Sequence, residues 1–210
     1  MKKTLRILTT LLFCLLAGES YSQEFNKIYY GIVSDSIHRN HYLEFKNDSI
    51  VELTSIRRHM SPQLRIELPY SKENGTISIK SDEITEQNLK ELNEYGFIHF
   101  TTGIRIENDG KALLDKTNEV IYVFLEDFKK THYTTYLIDG EEFKQENLIA
   151  NSYGLVEREM KMNRKLKKKL KRIKSELENE EYNIVVYKGI DAYLKFGYDK
   201  VMGVIELKRK

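Results

Sequence analysis

"HYLEFKNDSIVELTS", residues His41 to Ser55, alternates apolar and polar side chains on both sides of a short polar turn. Leu43 and Phe45 precede the turn at Asn47-Asp48, and a second apolar pair follows it. A period of two residues places alternate side chains on opposite faces of a strand, and Asn and Asp favour chain reversal. The stretch therefore predicts an antiparallel hairpin with one buried face.

Outward from this hairpin, from Lys27 to about Phe128, the pattern is mainly the same alternation. "QLRIELPY" and "GTISIK" predict a second hairpin, and "FIHFTTGIRIEN", "KALLDK" and "VIYVFLEDF" continue the series. One helix is predicted from Glu83 to Tyr95, before Gly96. Short strands with frequent turns are typical of an antiparallel meander or a partial barrel. We expect a β-rich antiparallel N-terminal domain over residues 23–130.

The pattern changes after about Thr131. "HYTTYLIDG" predicts a strand that ends in a turn, followed by a polar helical region from about Glu141 and then a long basic helix. "YNIVVYKG" predicts a strand, "IDAYLKFG" a short helix and "VMGVIELKRK" a closing strand. Four residues are expected to be buried in the central strands: Ile184, Val186, Val204 and Ile205. The predicted fold class is α+β, with an α/β module over residues 131–210.

The N-terminus has the pattern of a secretory signal peptide. Three basic residues open the chain: Lys2, Lys3 and Arg6. The apolar run from Ile7 to Ala17 follows, with Ser20 and Ser22 where a signal peptidase reads small residues. We expect residues 1–22 to be removed and the protein to be found, soluble, in the periplasm or cell envelope. No lipid anchor is predicted, because Cys14 lies inside the apolar run.

The charge balance excludes a strongly basic exported protein. The sequence has 34 Lys and Arg against 32 Asp and Glu, with one cysteine. Loss of residues 1–22 would leave 31 basic and 31 acidic residues and no cysteine. Disulfide and thiol chemistry are therefore not expected. No later apolar run is long enough to span a membrane.

Three ordered segments in the last third carry a family resemblance: "YLIDG" (136–140), "VVYKGIDAYLKFG" (185–197) and "GVIEL" (203–207). Together they resemble the plug domain of TonB-dependent outer-membrane receptors. The matching motif residues are Asp139, Gly140, Lys188, Gly189, Ala192, Gly197 and Gly203. The resemblance implies a plug-like module in a protein of the Gram-negative envelope. It implies a fold more than an activity, because glycines at element ends serve tight turns and close packing.

The sequence also departs from that family. Met202 replaces the asparagine common before Gly-Val-Ile, and the segment between the strands is unusually basic. No ten-residue alternation typical of a membrane barrel follows the motif before Lys210. The expected protein is therefore a plug-like module without the receptor barrel, and not a transporter.

"NRKLKKKLKRIK", Asn163 to Lys174, contains eight basic residues in twelve positions. One helical stripe of apolar residues runs through it: Met162, Leu166, Leu170, Ile173 and Leu177. The spacing favours a stripe packed on the sheet with its lysines in water. The alternatives are contact with anionic lipid or lipopolysaccharide, or with an acidic envelope protein, through Arg164, Lys165, Lys168, Lys169, Lys171 and Arg172. Nucleic acid is not expected, since the protein is exported and no aromatic side chain interleaves the lysines.

No catalytic signature is present. The motifs of serine hydrolases, zinc proteases, P-loop enzymes and dinucleotide-binding folds are all absent, so no catalytic, cofactor or metal residue is predicted. The lead hypothesis is a non-enzymatic binding or interaction module of the cell envelope. The alternative is a secreted hydrolase of another type, with a site in the β-rich domain around His38, His41, Arg58 and His59.

Overall fold

The computed structural model describes residues 27–33, 41–55, 63–94, 103–131, 133–146 and 163–210. Within these ranges the chain forms two β-sheets with helices packed beside them. The strands are β1 (Ile28–Val33), β2 (His41–Phe45), β3 (Ile50–Ser55), β4 (Arg65–Glu73), β5 (Thr76–Ile79), β6 (Ile104–Glu107), β7 (Ala112–Asp115), β8 (Val120–Phe124), β9 (Tyr133–Ile138), β10 (Glu141–Glu146), β11 (Tyr182–Tyr187) and β12 (Val204–Arg209). The helices are α1 (Glu86–Glu94), α2 (Leu125–Thr131), α3 (Arg164–Arg172), α4 (Lys174–Glu178) and α5 (Gly189–Phe196).

Strands β1 to β8 form a closed antiparallel barrel. Each strand pairs with the next, and β8 pairs back with β1. Gly31 of β1 marks the closure, because it lies opposite His41 of β2 on one side and Tyr122 of β8 on the other. Closing the sheet leaves none of these eight strands at an edge.

The predicted α+β fold class is wrong. The described chain is mainly strand, and its first half is a closed eight-stranded barrel. The second half is not built around a long basic helix. That segment forms two short helices, α3 and α4, which meet at Ile173, where φ of −96° and ψ of 9° interrupt the α-helical backbone. The alternation of apolar and polar residues is the same in an open sheet and in a closed barrel, so it does not reveal that the barrel closes. The apolar spacing continues across Ile173, so it does not reveal the break between α3 and α4 either.

Alternate residues of the eight strands fill the barrel interior with apolar side chains. Leu43, Val51, Leu53 and Leu68 are each at most 1% exposed. The predicted hairpin of residues 41–55 is confirmed, since β2 and β3 pair with Leu43 opposite Leu53. The predicted helix near residues 83–95 is confirmed as α1, which adds fully buried Leu92 to the same core.

The second sheet has four strands in the order β10-β9-β12-β11. Strand β12 runs parallel to β9, and the other neighbouring pairs are antiparallel. The polar helical region predicted from Glu141 is wrong over residues 141–146, where the chain forms β10; residues 147–162 lie outside the described residues. Asp139 and Gly140 have φ of 51° and 84°, the left-handed pair that a two-residue hairpin turn requires. The turn returns the chain beside β9 as an edge strand, whose buried residues are Phe143 and Gln145.

Helices α3 and α4 lie on one face of this sheet and bury the apolar stripe. Leu166 is 1% exposed and Ile173 is 6% exposed. Leu170 and Leu177 are partly buried in the same cluster. Their partners in the sheet include Ile138, Phe143 and Leu207. The prediction that the stripe is core is therefore confirmed for these four residues; Met162 lies outside the described residues.

An apolar contact joins the two sheets on the outside of the barrel. Ile32, Ile121 and Val123 point outward from β1 and β8, and they form one cluster with Ile190 of α5 and Val201 beyond it. Strand β8 is therefore buried on both faces. Burial on both faces explains why its sequence is a continuous apolar run rather than an alternation.

Two of the four positions expected to be buried in the second sheet are exposed. Val204 is fully buried and Ile205 is partly buried, but Ile184 and Val186 are 57% and 54% exposed. Both belong to β11, which is an edge strand because β12 inserts between β9 and β11. A continuous apolar run is typical of a central strand. The run does not show the order of the strands in the sheet, so it could not reveal that β11 lies at the edge.

Candidate interaction surfaces

The motif residue Asp139 fastens the second sheet together. Its carboxylate accepts hydrogen bonds from the Tyr182 hydroxyl at 2.8 Å and from the backbone N–H of Arg209 at 3.2 Å. These contacts hold the ends of β11 and β12 against the turn between β9 and β10. The hydrogen bond from Tyr182 also lowers the pKa of the Asp139 carboxyl. Asp139 is therefore a structural residue.

The other motif residues also serve the backbone. Four glycines have positive φ, as predicted for element ends: Gly140, Gly189, Gly197 and Gly203. A Cβ at Gly203 would lie 3.3 Å from the carbonyl oxygen of Tyr187, so glycine permits β12 to approach β11 there. Lys188 directly precedes α5, and Ala192 is fully buried within it. The glycines and Ala192 therefore serve turns and close packing in the fold.

A polar pair lies inside the barrel. His41 is 0% exposed and Tyr122 is 1% exposed, and His41 Nε2 shares a 2.8 Å hydrogen bond with the Tyr122 hydroxyl. The two side chains meet over Gly31, where a Cβ would lie 3.1 Å from both rings. Glycine at this position therefore makes room for the pair. Burial raises the pKa of the Tyr122 phenol well above its ordinary value, so the group stays a neutral hydroxyl.

Asp115 is an acidic neighbour of Tyr122, and its hydrogen bonds stabilise the turn that follows it. Its carboxylate accepts from the backbone N–H groups of Thr117 and Asn118 at 3.1 and 3.0 Å, and from the Asn118 amide at 2.7 Å. Burial raises the pKa of this carboxyl despite those donors. The turn joins β7 to β8, so Asp115 holds the hairpin that carries Tyr122.

The buried pair makes a testable contribution to stability. Tyr122→Phe is expected to lower the free energy of unfolding by about 1–3 kcal/mol, because it removes the hydroxyl that His41 Nε2 meets in the interior. Urea denaturation of Tyr122→Phe, His41→Leu and the double variant measures the coupling, expected at about 0.5–3 kcal/mol. Strictly additive losses would contradict a direct bond between the two side chains.

The hydrolase alternative gains no site from the described residues. His41, one of its four named residues, is enclosed in the barrel and cannot meet a substrate there. His38, Arg58 and His59 lie outside the described residues. Within the part of the chain that is described, no group of three or more metal-ligating side chains is placed to hold an ion.

An open groove lies where the barrel meets the end of α5. Asn108, Lys111 and Asp127 line one side and Tyr198 the other, around a volume of about 500 Å³. The Tyr198 hydroxyl lies 3.3 Å from the Asp127 carboxylate, to which it donates, and burial raises the pKa of Tyr198. These contacts tie the second sheet to the barrel. The groove therefore lies at the junction between the barrel and the segment that follows α5.

The start of α3 is fixed to the sheet by its N-cap. The Asn163 side chain accepts hydrogen bonds from the backbone N–H groups of Lys165 and Leu166 at 2.9 and 3.2 Å. The same amide donates to the carbonyl of Lys144 at 2.9 Å, and the Gln145 side chain accepts from the Asn163 N–H at 2.9 Å. An Asn cap of this kind satisfies helix N–H groups that lack partners. It also anchors the helix beside β10.

The buried stripe decides which side of α3 meets water. At about 100° per residue, the side opposite the stripe spans about 160° and carries only cations. We call these six exposed residues the basic face of α3: Arg164, Lys165, Lys167, Lys168, Lys171 and Arg172. Among the residues that the structure describes, none of the six has an ion-pair partner. Lys169, the remaining predicted contact residue, lies at the flank, 3.3 Å from the Glu141 carboxylate.

A second surface was not predicted from the sequence. β11 exposes Ile184, Val185 and Val186 in succession, at 57%, 42% and 54%. The sequence signal for this surface is an uninterrupted run of β-branched residues, a pattern that is also typical of a central strand.

Comparisons with protein-family models, with curated proteins and with solved structures find no match for this chain. The described helices include none with the length and apolar character needed to cross a bilayer.

Proposed function

We propose that the chain is a non-enzymatic binding protein of the cell envelope whose basic face of α3 docks onto an acidic protein surface. The observation that carries the proposal is the orientation of this helix. Its leucine stripe is buried on the sheet, so six cations point outward without an ion-pair partner among the described residues. The envelope location rests on the signal peptide predicted for residues 1–22 and on the resemblance to the plug domain.

The charge pattern of α3 is unfavourable in the protein alone. No acidic residue lies in the first turn, where Arg164 and Lys165 face the positive end of the helix dipole. Arg164 and Lys168 are also four positions apart, a spacing at which like charges repel. A bound acidic surface would relieve both effects. Such complementarity between opposite potentials gives an interface its specificity and fast association.

The same geometry favours a protein partner over a lipid bilayer. Helices that lie on membranes insert an apolar face between the head groups. In α3 that face is already buried, with Leu166 only 1% exposed. Nothing apolar is left on the outward side to enter a bilayer. What remains is a set of exposed cations on one side of a docked helix, which suits a surface that carries acidic side chains.

The proposal is tested with a charge-neutral variant, Lys165→Gln, Lys168→Gln and Lys171→Gln combined. Polyglutamate serves as a defined acidic polypeptide, and envelope extract supplies natural partners. We expect the wild-type protein to bind both in low salt and the variant to bind at least tenfold more weakly. Added salt should suppress the binding, because the charges are exposed.

A matched control removes the same number of charges elsewhere. Lys90, Lys116 and Lys210 are exposed and lie outside α3, so their combined change to glutamine should leave binding at the wild-type level. Equal losses in both variants would show a general charge effect and defeat the proposal. Binding to phosphatidylglycerol vesicles with no binding to acidic polypeptide would replace the protein partner with a lipid surface.

A further inference from the structure

The outer side of β11 is an unpaired sheet edge. The carbonyl of Glu181 accepts a hydrogen bond from the N–H of Lys210 at 2.8 Å, which sets the phase of the ladder between β11 and β12. Residues with odd numbers in β11 therefore direct their N–H and C=O groups toward β12. The backbone groups of Tyr182, Ile184 and Val186 point away from the sheet. Among the described residues, no strand pairs with them.

Three consecutive apolar side chains lie along this edge and occupy both faces of the sheet. Ile184 and Val186 share the face on which α3 and α4 pack, while Val185 lies on the opposite face. All three side chains are β-branched, a type that favours extended backbone. Long apolar edges of this kind pair with other strands unless lysine, proline or a bulge blocks them. β11 has none of these between Tyr182 and Tyr187.

We propose that a second copy of this chain adds to the edge, so that two β11 strands pair antiparallel about a twofold axis at Val185. This register places Ile184 opposite Val186 of the second copy and joins the two sheets into one of eight strands. The outward N–H and C=O groups of Ile184 and Val186 then form a hydrogen-bonded pair with their counterparts. A twofold contact uses the same surface on both copies, as most homodimers do.

Charge at the two ends of β11 favours the antiparallel arrangement. Glu180 and Glu181 precede the strand and Lys188 follows it. Antiparallel pairing places Lys188 of one copy opposite Tyr182 of the other, beside Glu181. Parallel pairing would bring the acidic ends together, at an energetic cost. The charges at the ends of β11 are therefore complementary only when the two strands pair antiparallel.

The contact involves six residues from each copy, fewer than the roughly 20–30 residues per side of stable interfaces. We expect a weak dimer whose population rises with protein concentration. Sedimentation velocity at concentrations up to about 1 mM should detect it. This inference does not depend on the basic face of α3, which lies on a different element. Leu194 of α5, 58% exposed and also apolar, supplies the matched control position.

The test uses charge at the symmetry axis. Val185→Lys alone and Val185→Glu alone should each raise the dissociation constant at least tenfold, because two like charges would face each other across the axis. An equimolar mixture of the two variants should recover association to within about threefold of wild type, because opposite charges then meet. Leu194→Lys and Leu194→Glu, singly or mixed, should leave association unchanged. Recovery in the mixture is specific to Val185 facing its own counterpart.

Three results would overturn the proposal. A wild-type protein that stays monomeric at about 1 mM has no such dimer. Failure of the mixture to recover association would reject the register. Ile184→Lys, at a position 57% exposed, should melt like wild type; a large loss of stability would show that another part of the chain already covers the edge.

Discussion

Val204→Asp is expected to cost about 3–5 kcal/mol of unfolding free energy, the range for an uncompensated buried charge. Val204 is 0% exposed and lies in β12 between Thr135 of β9 and Tyr187 of β11. The Thr135 side chain is also buried, and no basic side chain pairs with this position in the register. A carboxylate there would lose its water without gaining a counter-ion. Urea denaturation followed by far-UV circular dichroism measures the loss.

The matched control is the same substitution on the neighbouring strand. Val186 is 54% exposed on β11, so Val186→Asp should cost less than about 1 kcal/mol, the scale of strand propensity at an exposed site. The two variants change an identical side chain in adjacent strands, buried in one and exposed in the other. Equal losses would show that β11 is not an edge strand. A wild-type melt for Val204→Asp would show that β12 is not central.

The local elements of the barrel were predictable because short-range patterns encode them. The hairpin at residues 41–55 carries its own turn, in which the Asn47 side chain accepts backbone hydrogen bonds from Ser49 and Ile50. Closure of the barrel was not predictable in the same way. It depends on Gly31 meeting Tyr122, residues far apart in the chain whose pairing leaves no mark on local alternation.

Strand order explains the errors in the second sheet. The run "YNIVVY" has the composition of a central strand, yet β11 became an edge when β12 took the place beside β9. The polar run "EEFKQE" looked helical, yet Asp139 and Gly140 form a hairpin turn that makes it β10. In β11 the pairing of distant strands outweighed local composition, and in β10 a left-handed turn did so.

The functional and buried polar features also divide into those that local sequence encodes and those that depend on distant contacts. The basic face of α3 was predictable because one helix carries both the buried stripe and the exposed cations. The pair of His41 and Tyr122 was not, because two strands that are not neighbours in sequence bring the side chains together over Gly31. Helical periodicity is a local property, whereas a contact across a barrel depends on the whole fold.

Leu166→Ala is expected to cost about 2–5 kcal/mol, the range for truncating a buried leucine. Leu166 is 1% exposed and packs in the cluster that holds α3 and α4 on the second sheet, with Ile138 and Phe143 among its members. The short helix has little stability of its own, since nine residues are too few and its cations repel one another. Loss of packing at Leu166 should therefore release the helix as well as leave a cavity. Thermal melting and urea denaturation measure the effect.

Neutralising the opposite side of the same helix provides the control. Lys165→Gln, Lys168→Gln and Lys171→Gln combined should melt at or slightly above the wild-type temperature, because exposed like charges repel and contribute little to stability. Leu170→Ala should fall between the two, since Leu170 is only partly buried. A graded order, with Leu166 most costly and the lysines least, is the result required if the sheet holds α3 by its leucines. Unchanged melting of Leu166→Ala would mean that the helix is not docked there, and the outward orientation of the basic face would lose its physical basis.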